Sequence, residues 1–145
     1  SWDARATIAI AVLIGVGAAS PAFVVGELGL LPALVLVASV HAVDASTYIV
    51  GSGASSRWEG PVAGVAAVGA LSLAVAAVLA PPFRGVSPWV LGAVVAVLAP
   101  LGPLVATALL GRAEAPVPAL RRLDAYLVAG PVWAVAGRVL LDLAG

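Results

Sequence analysis

Three side chains spaced for one face of a helix stand inside an apolar run: His41, Asp44 and Tyr48, at i, i+3 and i+7. A carboxylate within a membrane segment costs roughly 2.5–3.5 kcal/mol on insertion scales, so Asp44 must face the bundle or water. There it can hold a cation, pass a proton or serve phosphoryl-type transfer. His41 alone reads as a neutral buried histidine donating to a backbone carbonyl. The run closes in a polar loop over residues 51–56, and the next helix opens Arg57-Trp58-Glu59-Gly60-Pro61. Trp58 fits an interfacial anchor and Arg57 a positive charge at the membrane surface. Further on, Leu120-Arg121-Arg122-Leu123-Asp124 places paired guanidinium groups, whose forked donors match phosphate oxygens, beside a carboxylate. Asp124 also suits the positive end of a helix dipole.

The elements that must position these groups are hydrophobic. Of 145 residues, 63% are hydrophobic and 10% charged, with a mean hydropathy of +1.17. That composition belongs to a bilayer and leaves too little polar surface for a soluble domain. There is no cysteine, which excludes disulfides and thiolate chemistry, and the formal charge is zero, which argues against a nucleic-acid partner. The sequence begins at Ser1 without an identifiable signal peptide, as a processed chain or the end of a longer one would.

Five apolar segments, at 6–26, 28–51, 60–80, 86–111 and 124–143, match the roughly 20 helical residues that cross a hydrocarbon core. They are rich in Ala and Leu and lack period-2 alternation, so the predicted fold is an all-α polytopic bundle, one integral-membrane domain over residues 1–145. With five spans, Arg5, Arg57, Arg112, Arg121 and Arg122 share one side, against Arg84 and Arg138 on the other. The positive-inside rule then puts the N-terminus in the cytoplasm of a plasma or inner membrane, with the candidate site facing it.

Pro100 and Pro103 predict a bend or break near Gly102 in the fourth span, and Pro21, Pro32 and Pro131 predict milder kinks in three others. Gly60 and Gly64 form a GxxxG spacing and Ala66, Ala70 and Ala74 are expected to continue it, a row for close packing within the chain or in a homodimer.

Together these pieces resemble the C-terminal half of phosphatidate cytidylyltransferase, the CDP-diacylglycerol synthase family, over about residues 28–143. Ala42-Val43-Asp44-Ala45-Ser46-Thr47-Tyr48-Ile49-Val50-Gly51 is similar to the family's A-x-D-x-x-A-Y-x-x-G helix. Arg57-Trp58-Glu59-Gly60 with Gly64 is similar to its W-E-G-x-x-G segment, and Leu101-Gly102 to its L-G-D. Leu120-Arg121-Arg122-Leu123-Asp124, with Ala129, Pro131 and Val132 after it, resembles the end of its H-G-G-x-x-D-R-x-D-S signature.

The resemblance implies transfer of a cytidylyl group from CTP to phosphatidate, with release of pyrophosphate. It implies Mg²⁺ held by Asp44 and Asp124 as the catalytic carboxylates. Phosphate would be bound by Arg57, Arg121 and Arg122, with Tyr48, Trp58, Glu59 and Gly60 in support. Partners would be phosphatidate or another anionic phospholipid, CTP and a second copy of the chain.

The departures weigh against catalysis. Pro103 stands for the L-G-D aspartate, Ala106 for the acid after it, Arg121 for the first aspartate of D-R-x-D and Ser56 for a lysine. Pro116-Val117-Pro118 replaces H-G-G. An arginine in place of an aspartate inverts the local charge that a divalent cation would meet. The expectation is a degenerate relative with weak or no catalysis, serving as a membrane scaffold or subunit. An active divergent nucleotidyltransferase is one alternative. A small proton-coupled transporter using Asp44 and His41 is the other, weakened by the lack of a second intramembrane carboxylate and of an inverted repeat.

Overall fold

A computed structural model describes residues 4–110 and 118–142, with the side chains of 4–7, 9, 109–110 and 118–122 outside that description. Among the described residues every regular element is a helix. The order is α1 (Ala4–Leu28), α2 (Leu30–Gly51), α3 (Glu59–Val78), α4 (Ser87–Leu98), α5 (Leu101–Leu110) and α6 (Pro118–Asp142). Five stretches are long and apolar enough to cross a membrane: Ile10–Leu28, Leu30–Gly51, Glu59–Val78, Ser87–Ala108 and Leu123–Asp142. Hydrocarbon offers no partner for N–H or C=O groups, so each span satisfies its own backbone as a helix. The chain is a multi-pass membrane protein.

The helices close a ring in which α1 packs on α2, α2 on α3, α3 on α4, α4 on α6, and α6 back on α1. The α5 segment lies along α6, and α2 also reaches α4 and α6 across the middle. The core between them is aliphatic with a few large rings: Leu36 and Val40 of α2, Val68 of α3, Leu91 and Val95 of α4, and Trp133 of α6. The outer surface is also apolar, with Ile8, Val12, Leu34, Val62, Leu73, Val97 and Val135 exposed, as lipid contact requires.

The fourth span bends by 36°, as its prolines require. The break falls at Ala99 and Pro100, a little before the expected Gly102. Pro100 has no N–H to continue the ladder after Ala99 N donates to Val95 O at 2.9 Å, and Gly102 N then donates to Ala99 O at 3.1 Å in a tighter turn. Pro103 causes no second break because it sits in the first turn of α5, where its missing N–H is not needed. Pro32 likewise lies in the first turn of α2 rather than kinking it, whereas Pro21 and Pro131 lie inside the continuous helices α1 and α6.

The last helix begins at Pro118, earlier than the expected 124, so Leu120-Arg121-Arg122-Leu123-Asp124 is helical and not a loop ahead of the span. Only the backbone of Arg121 and Arg122 is described. Arg5 and Arg112, counted in the charge asymmetry, lie outside the described side chains. At the opposite end of the bundle, Arg138 Nη1 pairs with Glu27 Oε2 at 3.3 Å, joining α6 to the end of α1.

Close helix approach depends on glycines at two places that shape the site. A Cβ on Gly64 would lie 2.6 Å from Thr47 Oγ1 and 3.2 Å from Val43 Cγ1, and one on Gly60 would lie 2.9 Å from the Thr47 carbonyl oxygen. The GxxxG face therefore packs α3 on α2 within the chain. Its continuation is Val68, Ser72 and Val75, all buried. The Ala66, Ala70 and Ala74 row proves to be a separate, exposed face. At the second place, a Cβ on Gly102 would collide with the Asp124 carbonyl, so α5 meets α6 directly at that carboxylate-bearing residue.

Candidate functional site

The polar groups that sequence separates by about eighty residues meet where α2 faces α6. His41 Nδ1 lies 2.8 Å from the Val37 carbonyl oxygen and 3.3 Å from the Tyr126 hydroxyl. A carbonyl only accepts, so the shorter contact assigns the Nδ1 proton, and Tyr126 shares that donor through its oxygen. The two rings stand edge to face, with centroids 6.2 Å apart and planes at 64°. His41 does donate to a carbonyl as expected, but it is exposed and not buried.

Asp44 and Asp124 come together in the same region, close enough for their charges to act on each other, and Asp44 also feels His41 and Tyr126. Asp124 Oδ1 accepts a hydrogen bond from the Ala125 N–H at 2.8 Å, which turns its carboxylate toward the start of its own helix. Asp44 is exposed, and among the described residues it accepts no hydrogen bond and forms no ion pair. Its neighbour Ser46 donates to the Ala42 and Val43 carbonyls and so turns back onto α2.

The remaining residues of the motif lie elsewhere. Tyr48 is 76% exposed, one turn nearer the end of α2, and contributes its ring to the surface of the bundle. Arg57 stacks over the ring of the exposed Trp58, 5.8 Å from its centroid. Glu59 Oε1 accepts from Ser56 N at 3.0 Å and from Ser55 Oγ at 2.9 Å. Those bonds tie the loop before α3 to the first residue of that helix. Gly60 serves the α2–α3 contact described above. The side chains of Arg121 and Arg122 lie outside the described residues.

Sequence reasoning did not single out Tyr126 or Thr47. Tyr126 follows Asp124 by two positions, and only the packing of α6 on α2 turns it to His41. Thr47 Oγ1 is buried without a hydrogen-bond partner against Gly64. A hydroxyl in the middle of a helix–helix contact looks in sequence like any other small residue.

Chemically, the arrangement offers two carboxylates, an imidazole and a phenol. Among the described residues no three Asp, Glu or His side chains are grouped to hold a metal ion. Mg²⁺ accepts one or two carboxylates when substrate phosphates supply further oxygens. A two-metal cluster that clamps both the attacking and leaving oxygens needs more. The described donor set does not fit such a cluster. No known family model, curated protein or solved structure matches the chain.

Proposed function

We propose that this protein is a membrane scaffold or subunit built on the frame of a phosphatidate cytidylyltransferase, with weak or no catalysis of its own. The observation that carries this reading is the Asp44–Asp124 pair: it supplies two carboxylates, and no third described donor completes a metal cluster. Pro103 and Ala106, on the helix whose Gly102 meets the Asp124 backbone, are where the resemblance would have supplied acids. The motif residues that remain act as structure: Glu59 ties the preceding loop to α3, Gly60 and Gly64 seat α3 on α2, and Gly102 seats α5 on α6. In this reading the polar end of the bundle faces the cytoplasm, where Arg57 and the arginine pair meet anionic headgroups.

Thermal unfolding of the detergent-purified protein tests the reading. CTP with Mg²⁺ shifts the midpoint of neither the parent protein nor Asp44→Ala, each compared with itself without nucleotide. A rise in the midpoint with CTP and Mg²⁺ that Asp44→Ala abolishes contradicts it and favours an active nucleotidyltransferase.

One observation favours a second reading. A proton path needs a second intramembrane carboxylate, and Asp124, inside the span Leu123–Asp142, stands beside Asp44 with His41 and Tyr126 adjoining. Proton uptake into vesicles carrying the protein, measured with a trapped pH dye and lost in Asp44→Asn, would establish that reading over the scaffold.

A further inference from the structure

A groove runs between α3 and α4 on the surface of the bundle that meets lipid. Gly69 and Ser72 of α3 and Trp89, Gly92, Ala93 and Val97 of α4 line it, around a volume of about 330 Å³. Trp89 and Val97 are exposed, so the groove opens sideways into the bilayer. At Gly69, Gly92 and Ala93 no side chain extends past Cβ, which leaves width for a ring. No lining residue is charged. Small-molecule sites share this character, apolar with a few polar groups that fix orientation.

The polar group here is Ser72. It is only 6% exposed, and among the described residues its hydroxyl has no hydrogen-bond partner. Ser20, Ser39 and Ser46 each donate to the carbonyl four residues back on their own helix. Ser72 Oγ instead rests against Gly92, where an added Cβ would collide with it. The hydroxyl thus stands at the base of the groove with a proton to donate, and a buried donor without an acceptor is costly. Depth restricts what can supply that acceptor. Ser72 lies six residues before the end of α3 and Gly92 five after the start of α4, which is about 8–9 Å into the span. The 20 residues of α3 match the hydrocarbon thickness, so the ester carbonyls of ordinary phospholipids lie outside this depth. A charged group there is costly as well.

We propose that this groove binds a neutral ring lipid of the quinone class, drawn laterally from the bilayer, whose ring carbonyl accepts a hydrogen bond from Ser72. A carbonyl brings an acceptor and no further donor to satisfy. The ring lies along the glycine and alanine surface with the Trp89 indole at its edge, and the apolar tail stays in lipid. The groove shares no residue with the Asp44 region, so the proposal stands apart from the scaffold reading.

Decylubiquinone, which quenches tryptophan fluorescence on contact, is the probe, titrated into the full-length protein in phosphatidylcholine nanodiscs. Saturable quenching is expected above the linear quenching that partition into lipid produces. Gly69→Leu fills the groove, and open space around an added Cβ there lets the helix accept it, so the saturable part is expected to vanish. Ser72→Ala keeps the groove and removes the hydroxyl, weakening binding on the order of fivefold. Circular dichroism checks that both variants keep their helices. Quenching that is linear throughout, persists unchanged in Gly69→Leu or is equally tight in Ser72→Ala overturns the proposal. So does displacement of the probe by an equal concentration of dodecylbenzene, a ring and chain without oxygen. The absence of cysteine allows a single label at Gly53→Cys, on the loop after α2. Energy transfer between differently labelled copies that Gly69→Leu abolishes overturns the proposal in favour of a second copy in the groove. No outcome depends on CTP, so the lipid site and the non-catalytic reading fail separately.

Discussion

At Asp44 the bundle holds a carboxylate that no described side chain compensates, and replacing it separates charge from shape. Asp44→Asn keeps the volume and removes the cost of a charge in the membrane, so the isolated protein gains stability on the order of 1 kcal/mol, read by unfolding in mixed micelles. Thr47 follows similar logic, since its Oγ1 is buried without a partner. Thr47→Val removes the orphaned hydroxyl at nearly constant volume and stabilises by about 1 kcal/mol in the same assay. Tyr126→Phe has the opposite sign, because it removes the hydroxyl that shares the His41 donor, and it costs about 0.5–1.5 kcal/mol. Asp44 was legible in sequence because charge is conspicuous in an apolar run. Tyr126 and Thr47 were not, because their meaning comes from helices that sequence does not place side by side.

The helices themselves read well from sequence where a covalent constraint set their ends. The span lengths, the proline break in the fourth span and the small-residue seam of α3 follow from hydrocarbon thickness, a missing N–H and a missing Cβ. Errors arose where two helical periods compete: Ala66, Ala70 and Ala74 share a spacing of four with Gly60 and Gly64 but fall on another face. The start of α6 is hidden in sequence because its first turns carry two arginines, which hydropathy marks as a surface loop although the helix continues through them. Gly102→Ala tests the second glycine contact. Its Cβ would meet the backbone of Asp124, which cannot yield as a side-chain tip can, so α5 must move and the cost is about 1–3 kcal/mol. Glu59→Ala removes an acceptor from two hydrogen bonds at the entry to α3 and costs about 1 kcal/mol. Both are read as shifts in the unfolding midpoint.

Across the whole molecule, a five-span bundle brings Asp44, His41, Asp124 and Tyr126 together where α2 meets α6, and among the described residues no group of three acids or histidines is placed to hold a metal ion. The sequence showed the membrane class through composition and the polar residues through their contrast with it. The meeting of Asp44 with Asp124, eighty positions apart, depends on ring closure by α6, which no local pattern encodes. The central claim is that the frame persists without the chemistry. Cytidylyl transfer from labelled CTP to phosphatidate by the purified protein with Mg²⁺ tests it directly. The account predicts no CDP-diacylglycerol above a protein-free control; sustained turnover that Asp44→Ala abolishes would contradict it.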